Sequence, residues 1–323
     1  MSIRTQVITV FGGSGFIGRH LIRRLAKSGA IVRIATRNPT KAAFLKTAGA
    51  VGQIVPFATD VTKDESVARA LQGADVAINL IGVLFERGAQ TFQAAHVDTP
   101  ARIARLAAAN GVGRLVHVSA LGADAGSASS YARSKAAGEQ AVLSAFPAAT
   151  ILRPSVVFGP EDGFFNKFGA MAQIAPALPL IGGGTTRFQP VYVGDVAEAI
   201  TAALSLDSAK GRSFELGGPR AYSFKELLQL TMKEVHRSRC LVPVPWTVAE
   251  TLGGVLEKVP VLAPALTRDQ VELLKRDNVV SPTAAGFADL GITALSSCEV
   301  VVPTYLARFI VGGRNPTVPG GAH

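Results

Sequence analysis

The stretch Val10-Phe11-Gly12-Gly13-Ser14-Gly15-Phe16-Ile17-Gly18 joins two different periodicities. Before it, "QVITVF" (6–11) is a short apolar run that reads as a buried strand. After it, "FIGRHLIRRLAKSG" (16–29) carries apolar residues at helical spacing and stops on Gly29. A strand, a glycine turn and a helix start form an anion site, because unpaired backbone N–H groups and the helix dipole face the ligand. Glycines are required there, since side chains would block both the turn and the approach of a pyrophosphate. Two spacings fit at once. Gly13, Gly15 and Gly18 give G-x-G-x-x-G, whereas Gly12, Gly15 and Gly18 give G-x-x-G-x-x-G.

Outward from the turn, strands and helices alternate as far as Pro154. Strands are expected at 31–36, 53–57, 76–81, 114–119 and 149–154, with helices at 40–48, 64–72, 90–110 and 131–145. That alternation predicts an α/β fold of Rossmann type: a doubly wound parallel sheet with helices on both faces. Beyond Pro154 the pattern loosens. A helix is expected at 163–174, a Pro/Gly-rich loop at 175–186, a strand at 187–193 and a helix at 194–205. Ser223 reads as an N-cap with Glu226 in the capping-box position. The expected organisation is a dinucleotide-binding domain over 1–160, with contributions from 187–222. A smaller, mainly helical region follows over 161–311, and a Gly/Pro-rich tail over 312–323 is expected to be disordered.

Composition limits the function classes. The chain has 323 residues, 48% hydrophobic and 17% charged, which suits a globular protein with a sizeable core. Two cysteines, Cys240 and Cys298, give neither a disulfide framework nor metal-ligand spacing. The start runs directly into a strand with no charged-then-apolar leader, so a cleaved targeting peptide is not expected. No apolar run is long enough for a spanning helix. The formal net charge of +10 favours anionic partners, but the cations read as scattered and no nucleic-acid motif accompanies them. A solvated basic surface is the expectation.

The end of the second strand selects the cofactor. Sites that prefer NAD(H) usually place Asp or Glu there, against the ribose 2′-hydroxyl. This chain has Thr36, Arg37 and Asn38 instead. Arg37 suits a 2′-phosphate, so NADP(H) is expected over NAD(H).

Further motifs fall in one order: Asp60-Val61 after the third strand, "NLIG" (79–82), "HVSALGA" (117–123), "YARSK" with Tyr131 and Lys135, and "LRPSVVFGP" (152–160). Together they resemble the short-chain dehydrogenase/reductase superfamily, in its extended or atypical branch. That superfamily's spacing selects Gly12, Gly15 and Gly18 and leaves Gly13 outside the triplet. The stretches "GAQTFQAAHVDTPARIARLAAANGVGRLVHVSALGAD", "PEDGFFNKF", "QPVYVGDVAEAI" and "LTRDQVELLKRDNVV" resemble one subfamily more closely. This is the NADPH-binding accessory subunit of respiratory complex I (NADH:ubiquinone oxidoreductase), the alpha-subcomplex subunit nine family, in bacterial form. The resemblance implies a held NADPH with a structural role, complex I subunits as partners, and a peripheral position on the cytoplasmic side of the inner membrane. It implies a pyrophosphate lined by Gly12, Ser14, Gly15, Phe16, Ile17 and Gly18, with Arg37 on the 2′-phosphate. Asp60 and Val61 would flank the adenine, and Leu80, Ile81 and Gly82 the adenosine ribose and phosphates. Ser119, Tyr131 and Lys135 would lie near the nicotinamide ribose, and Pro154 and Val157 near the nicotinamide.

Catalysis would rest on Tyr131 and Lys135, four residues apart on one helix face. A neighbouring ammonium favours the phenolate, and the tyrosine can then exchange a proton while the nicotinamide exchanges a hydride. The same lysine can simply hold the ribose hydroxyls, so the pair fits an enzyme and a binder alike. Members of the superfamily usually carry a hydroxyl at the end of the fifth strand. Here Ala120 takes that position and Ser119 precedes it. His96 and His117 read as packing histidines, and Asp195 as a first-turn helix acid. The stretch 240–266 is apolar and proline-punctuated, with a short helix expected at 246–258. It reads as a cover for the protein's own core or as a face for a membrane or partner. Two function classes follow. One is a structural NADPH-holding subunit. The other is a soluble NADP-dependent reductase, epimerase or dehydratase acting on a sugar nucleotide or a ubiquinone precursor. No metal site is expected.

Overall fold

The computed structural model describes residues 5–257 and 266–310. These fall into two compact units. The first takes its residues from Met1–Pro154, Val193–Leu216 and Ser281–Thr293, and the second from the rest. The tail over 312–323 lies outside the described residues, as does the end of the apolar stretch at 258–265.

In the first unit the alternation is β1 (Val7–Phe11), α1 (Phe16–Lys27), β2 (Ile31–Thr36), α2 (Pro39–Ala42) and β3 (Ile54–Ala58). It continues through α3 (Asp64–Leu71), β4 (Val76–Asn79), α4 (Thr99–Ala109), β5 (Arg114–Val118), α5 (Ser130–Ala145) and β6 (Thr150–Pro154). Numbered along the chain, α7 (Val193–Ser205) and β11 (Ser213–Leu216) return to this unit. The seven strands form one sheet in the order β11-β6-β5-β4-β1-β2-β3, and every neighbouring pair is parallel. The order reverses between β1 and β4. That reversal parts the loops at the carboxyl ends of these two strands, which is where such sheets bind ligands.

Burial explains the apolar runs. In β4 all four residues are buried, and β1 and β5 are buried but for half-buried first positions, as strands covered on both faces must be. Helix α1 buries Leu21, Ile22 and Leu25 completely and packs against α7. Each such side chain contributes about 1.5–3 kcal/mol. One margin of the sheet, β11, is covered by the chain itself: Glu215 N–H donates to Ala285 O at 2.8 Å, and Ser281 N–H donates to the Glu215 carboxylate at 2.8 Å. The other margin, β3, is open and carries Pro56 at its centre.

Two helices expected from sequence are less regular than their patterns. Residues 43–48 tighten into a 3₁₀ turn after α2. The expected helix over 90–110 begins with a π-helical segment, Gln93–Asp98, before α4. Pro100 stands where the π-helical segment passes into α4, and its missing N–H leaves a gap in the helical hydrogen-bond ladder at that junction.

The second unit holds β7 (Val157–Phe158), α6 (Phe165–Ile174), β8 (Ala177–Ile181), β9 (Arg187–Phe188), β10 (Val191–Tyr192) and β12 (Tyr222–Ser223). It also holds α8 (Phe224–Glu234), β13 (Cys240–Val244), α9 (Trp246–Leu256), α10 (Arg268–Leu274) and α11 (Cys298–Leu306). The stretch 175–186, expected as a loop, contains β8, which pairs in parallel with β13. Its Leu178 and Leu180 are buried in alternation, but the stabilising partner is about sixty residues away and so invisible to local pattern. The strand expected over 187–193 divides at Pro190. Strand β9 pairs with β12, and β10 with β7. The core is aromatic, with the rings of Phe164, Phe165, Phe168, Phe188 and Phe224 in mutual contact. The capping box at Ser223 and Glu226 is formed.

Candidate dinucleotide site

The glycine turn leaves β1 at its carboxyl end and enters α1. Gly12 has φ +78°, and a Cβ there would meet the Leu80 carbonyl carbon at 3.2 Å. Gly18 is more constrained still, since a Cβ would stand 2.3 Å from Gly13 O, where the first turn of α1 crosses the loop. Gly15 differs. A Cβ there would meet only Gly12 O, at 3.2 Å, and Gly15 is exposed. It caps α1 without a side-chain hydrogen bond, and no acidic residue occupies the first turn. The loop is held by Gly15 N–H donating to Gly12 O at 3.0 Å and by Arg19 Nε donating to Ser14 O at 3.1 Å. Phe16, Ile17 and Ser14 are half-buried around it. Gly13 has a reason of its own: a Cβ would meet Ile22, Ile34 and Val10 side chains at 3.0–3.2 Å. It faces the core, so its glycine is set by packing.

Arg37 stands exposed just beyond β2, and its guanidinium makes no hydrogen bond or ion pair among the described residues. Asn38 caps α2 by accepting from Lys41 N–H at 3.1 Å. Asp60 follows β3. Its carboxylate accepts from both Thr62 N–H (3.0 Å) and Thr62 Oγ1 (2.7 Å), which lowers its pKa; Lys63 and Arg37 add to the effect. Val61 is half-buried, and its carbonyl accepts from Arg102 at 3.1 Å. Leu80 N–H donates to Phe11 O at 2.9 Å and Ile81 N–H to Asn79 Oδ1 at 3.0 Å, which ties the segment after β4 to the glycine turn. Gly82 is exposed, and a Cβ on it would lie 3.6 Å from Lys135 Nζ and 3.7 Å from His96 Nε2.

Lys135 is the chemical centre of this region. It lies on α5 with its side chain buried, and Nζ donates to Val118 O at 3.3 Å. Burial lowers its pKa to about 8, while Glu139, one turn on, opposes the shift. Glu139 cannot neutralise the ammonium fully, because its carboxylate is bound bidentately by Arg153 on β6 at 2.5–3.2 Å. Two more cationic candidates are held neutral nearby. His96 is pushed down to about 3 by burial and then by the Lys135 charge, and His117 well below its usual value by the same causes.

The hydrogen bonds fix the His96 tautomer. Val83 N–H donates to Nε2 at 3.0 Å, so Nδ1 carries the proton and donates to Ser134 Oγ at 2.8 Å. Ser134 Oγ in turn donates to Tyr131 O at 2.8 Å. His96 thus does more than the packing expected of it, since it anchors the loop after β4 to α5. It belongs to the π-helical segment, and a Cβ at Gly138 would lie 1.8 Å from its carbonyl oxygen. His117 is buried on β5 against Asn79, Nδ1 to Nδ2 at 3.1 Å. Tyr131 is half-buried, edge-on to His96 (5.2 Å between ring centroids) and to Phe92 (5.8 Å).

Ser119, at the end of β5, is buried, and its Oγ has no hydrogen-bond partner. A buried hydroxyl left in this state costs about 1–3 kcal/mol and marks a place where a ligand group fits. Pro154 closes β6, and Val157 opens β7 in the second unit. Sequence reading missed Ser134, Asn79, Glu139 and Arg153. Only the i,i+4 spacing of Lys135 and Glu139 announced any of them. The residues present fit a dinucleotide: open N–H groups above Gly15, the unengaged Arg37, the orphaned Ser119 hydroxyl and the half-compensated Lys135. When bound, the nicotinamide supplies hydride chemistry.

Known proteins resemble this chain over most of its length. Residues 8–217 match the model of the NAD dependent epimerase/dehydratase family. The mitochondrial NADH dehydrogenase [ubiquinone] 1 alpha subcomplex subunit 9 of Arabidopsis thaliana is 38% identical, over 97% of this chain and 80% of its own length. The mitochondrial NADH-ubiquinone oxidoreductase 40 kDa subunit of Neurospora crassa is 34% identical, over 90% and 76%. Among solved structures, dTDP-glucose 4,6-dehydratase from Streptomyces venezuelae, with NAD bound, superimposes with a TM-score of 0.73 at 20% identity, covering 94% of this chain and 96% of that one. The chain belongs to the NAD dependent epimerase/dehydratase family, among relatives that include the alpha subcomplex subunit 9 proteins.

Proposed function

We propose that this chain is an accessory subunit of a respiratory NADH:ubiquinone oxidoreductase and that it holds a nicotinamide dinucleotide, NADP(H) by preference, as a structural part. The observation that carries the reading is the 38% identity maintained over 97% of the chain with a subunit of that name. The site supports it. By the resemblance, Ala120, two residues past β5, corresponds to the hydroxyl-bearing position of the superfamily's enzymes, and the hydroxyl of Ser119 is buried one residue earlier. Losing such a donor typically costs about 10²–10³ in rate. Arg37 supports the preference for a 2′-phosphate, since a guanidinium with no internal partner is ready for bidentate phosphate binding.

The same reading places the protein peripherally at a membrane surface, on the cytoplasmic side in a bacterium. No described helix is long and apolar enough to cross a bilayer. Helix α9 leaves Val248, Leu252 and Val255 about half exposed on one face. The test is to purify the native membrane complex and ask whether the chain co-migrates with the oxidoreductase, carrying dinucleotide identified by mass. A chain that is soluble and free in the cytoplasm overturns the reading.

The second reading, an NADP-dependent reductase, epimerase or dehydratase, rests on Tyr131 and Lys135 lying one turn apart with the Ser119 hydroxyl available. Multiple turnovers on a small carbonyl or sugar-nucleotide substrate, lost in Tyr131→Phe, would establish it in place of the first.

A further inference from the structure

The net charge is not spread along the chain as the sequence reading expected. Residues 1–59 hold nine Lys and Arg side chains and no Asp or Glu, leaving twenty-four cations against twenty-three acids in residues 60–323. Among the described residues, Arg23, Lys27, Lys41 and Lys46 are exposed and make no ion pair. Arg24 is different, because Glu198 on α7 pairs with it at 3.1 Å. Arg19, Arg23 and Lys27 recur every four residues and form one cationic stripe along α1. The helix dipole favours Lys27 near the carboxyl end of α1, but not Arg19 or Arg23. In the free chain these like charges repel.

The same surface exposes apolar side chains. Phe44 is 46% exposed beneath the Arg19 guanidinium, which lies 5.2 Å from the ring centroid, and Val51 is fully exposed. Two hollows adjoin at Thr47. One, of about 310 Å³, is lined by Arg23, Lys27 and Phe44; the other, of about 510 Å³, by Lys46, Val51 and Val55. They run from the carboxyl end of α1 and the loop entering β3 as far as Phe44, which stands under Arg19 beside the glycine turn.

We propose that this groove is a docking surface for an acidic segment of a partner protein, one that sets carboxylates against Arg23, Lys27 and Lys46 and an apolar side chain against Phe44. Its concavity fits a protruding segment better than a flat bilayer. The surface does not depend on the assembly proposed above, and its test uses the purified chain alone.

The probe is a fluorescein-labelled peptide rich in Asp and Glu with interspersed Leu, titrated at rising ionic strength. Saturable binding that weakens with salt is expected, together with a loss of about tenfold in Arg23→Glu and in Lys46→Glu. Arg23→Glu exchanges two like-charge pairs on α1 for two attractive ones, so its thermal midpoint in the free state should hold or rise. Binding lost with the midpoint intact supports the proposal. Absent binding, or affinity unchanged in both variants, overturns it. So does tighter binding, through the same residues, to phosphatidylglycerol vesicles or to a DNA duplex, which would assign the groove to lipid or nucleic acid.

Discussion

Replacing Lys135 with methionine should stabilise the empty protein while removing its hold on the dinucleotide. Methionine keeps the length and apolar body of the lysine stem and deletes the buried ammonium. Burial lowers the Lys135 pKa from 10.5 to about 8. At about 1.4 kcal/mol per pH unit, the charged form in the folded state carries a cost of about 3 kcal/mol. Against this, the substitution forfeits one hydrogen bond to Val118 O, worth about 1 kcal/mol. The net gain is about 2 kcal/mol, or a rise of about 3 °C in melting temperature for a chain of 323 residues.

The pH dependence carries a sign. The folded-state value lies below the unfolded one. Under about pH 8 both states bind the proton, and the folded state bears the whole cost. Between about 8 and 10.5 the folded side chain releases its proton first, so stability climbs with pH. The difference between wild type and Lys135→Met should shrink across that window. The assay is thermal unfolding of dinucleotide-stripped protein followed by circular dichroism, because bound ligand would stabilise the wild type alone. A stripped variant that melts below wild type, or a gap that stays constant from pH 8 to 10.5, would refute the claim that the fold bears an incompletely compensated charge for its ligand.

Other perturbations separate roles within the site. Ser119→Ala removes the partnerless hydroxyl, so the stripped protein should be unchanged or up to about 1 kcal/mol more stable by urea titration, while dinucleotide dissociates faster. Arg37→Asp should lower the affinity for NADPH relative to NADH by at least about tenfold, measured by competitive displacement; an unchanged ratio would show that Arg37 does not meet the 2′-phosphate. Gly138→Ala places a methyl carbon 1.8 Å from His96 O, so α5 and the π-helical segment must part. A loss of about 3 kcal/mol or more, with weaker cofactor retention, is expected by chemical denaturation.

The parallel sheet was legible because five of its strands, β1 to β5, are short apolar runs each followed by a helical pattern. The glycine turn was legible because a strand period meets a helix period across it, and Gly12 and Gly18 stand where neighbouring backbone leaves little room for a Cβ. The second unit was not. Strand β8 pairs with β13 far along the chain, and Pro190 divides a single apolar run between two partners. The wiring of the site was hidden likewise. That Arg153 takes the Glu139 carboxylate away from Lys135, or that His96 reaches Ser134, depends on β6, α5 and the π-helical segment meeting in space. The basic concentration in residues 1–59 needed no structure to see, only a count by segment instead of over the whole chain.

Pro56 has a consequence for copies of this chain that have not met a partner. Gln53 and Thr59 bond inward to β2, so strand alternation turns position 56 toward the open side. There, proline offers no N–H to an incoming strand. The opposite margin is already occupied by the chain's own residues beyond Ser281. A seven-stranded sheet closed at one side and interrupted by proline at the other is a poor template for a neighbour's strand, so unassembled copies are expected not to extend this sheet.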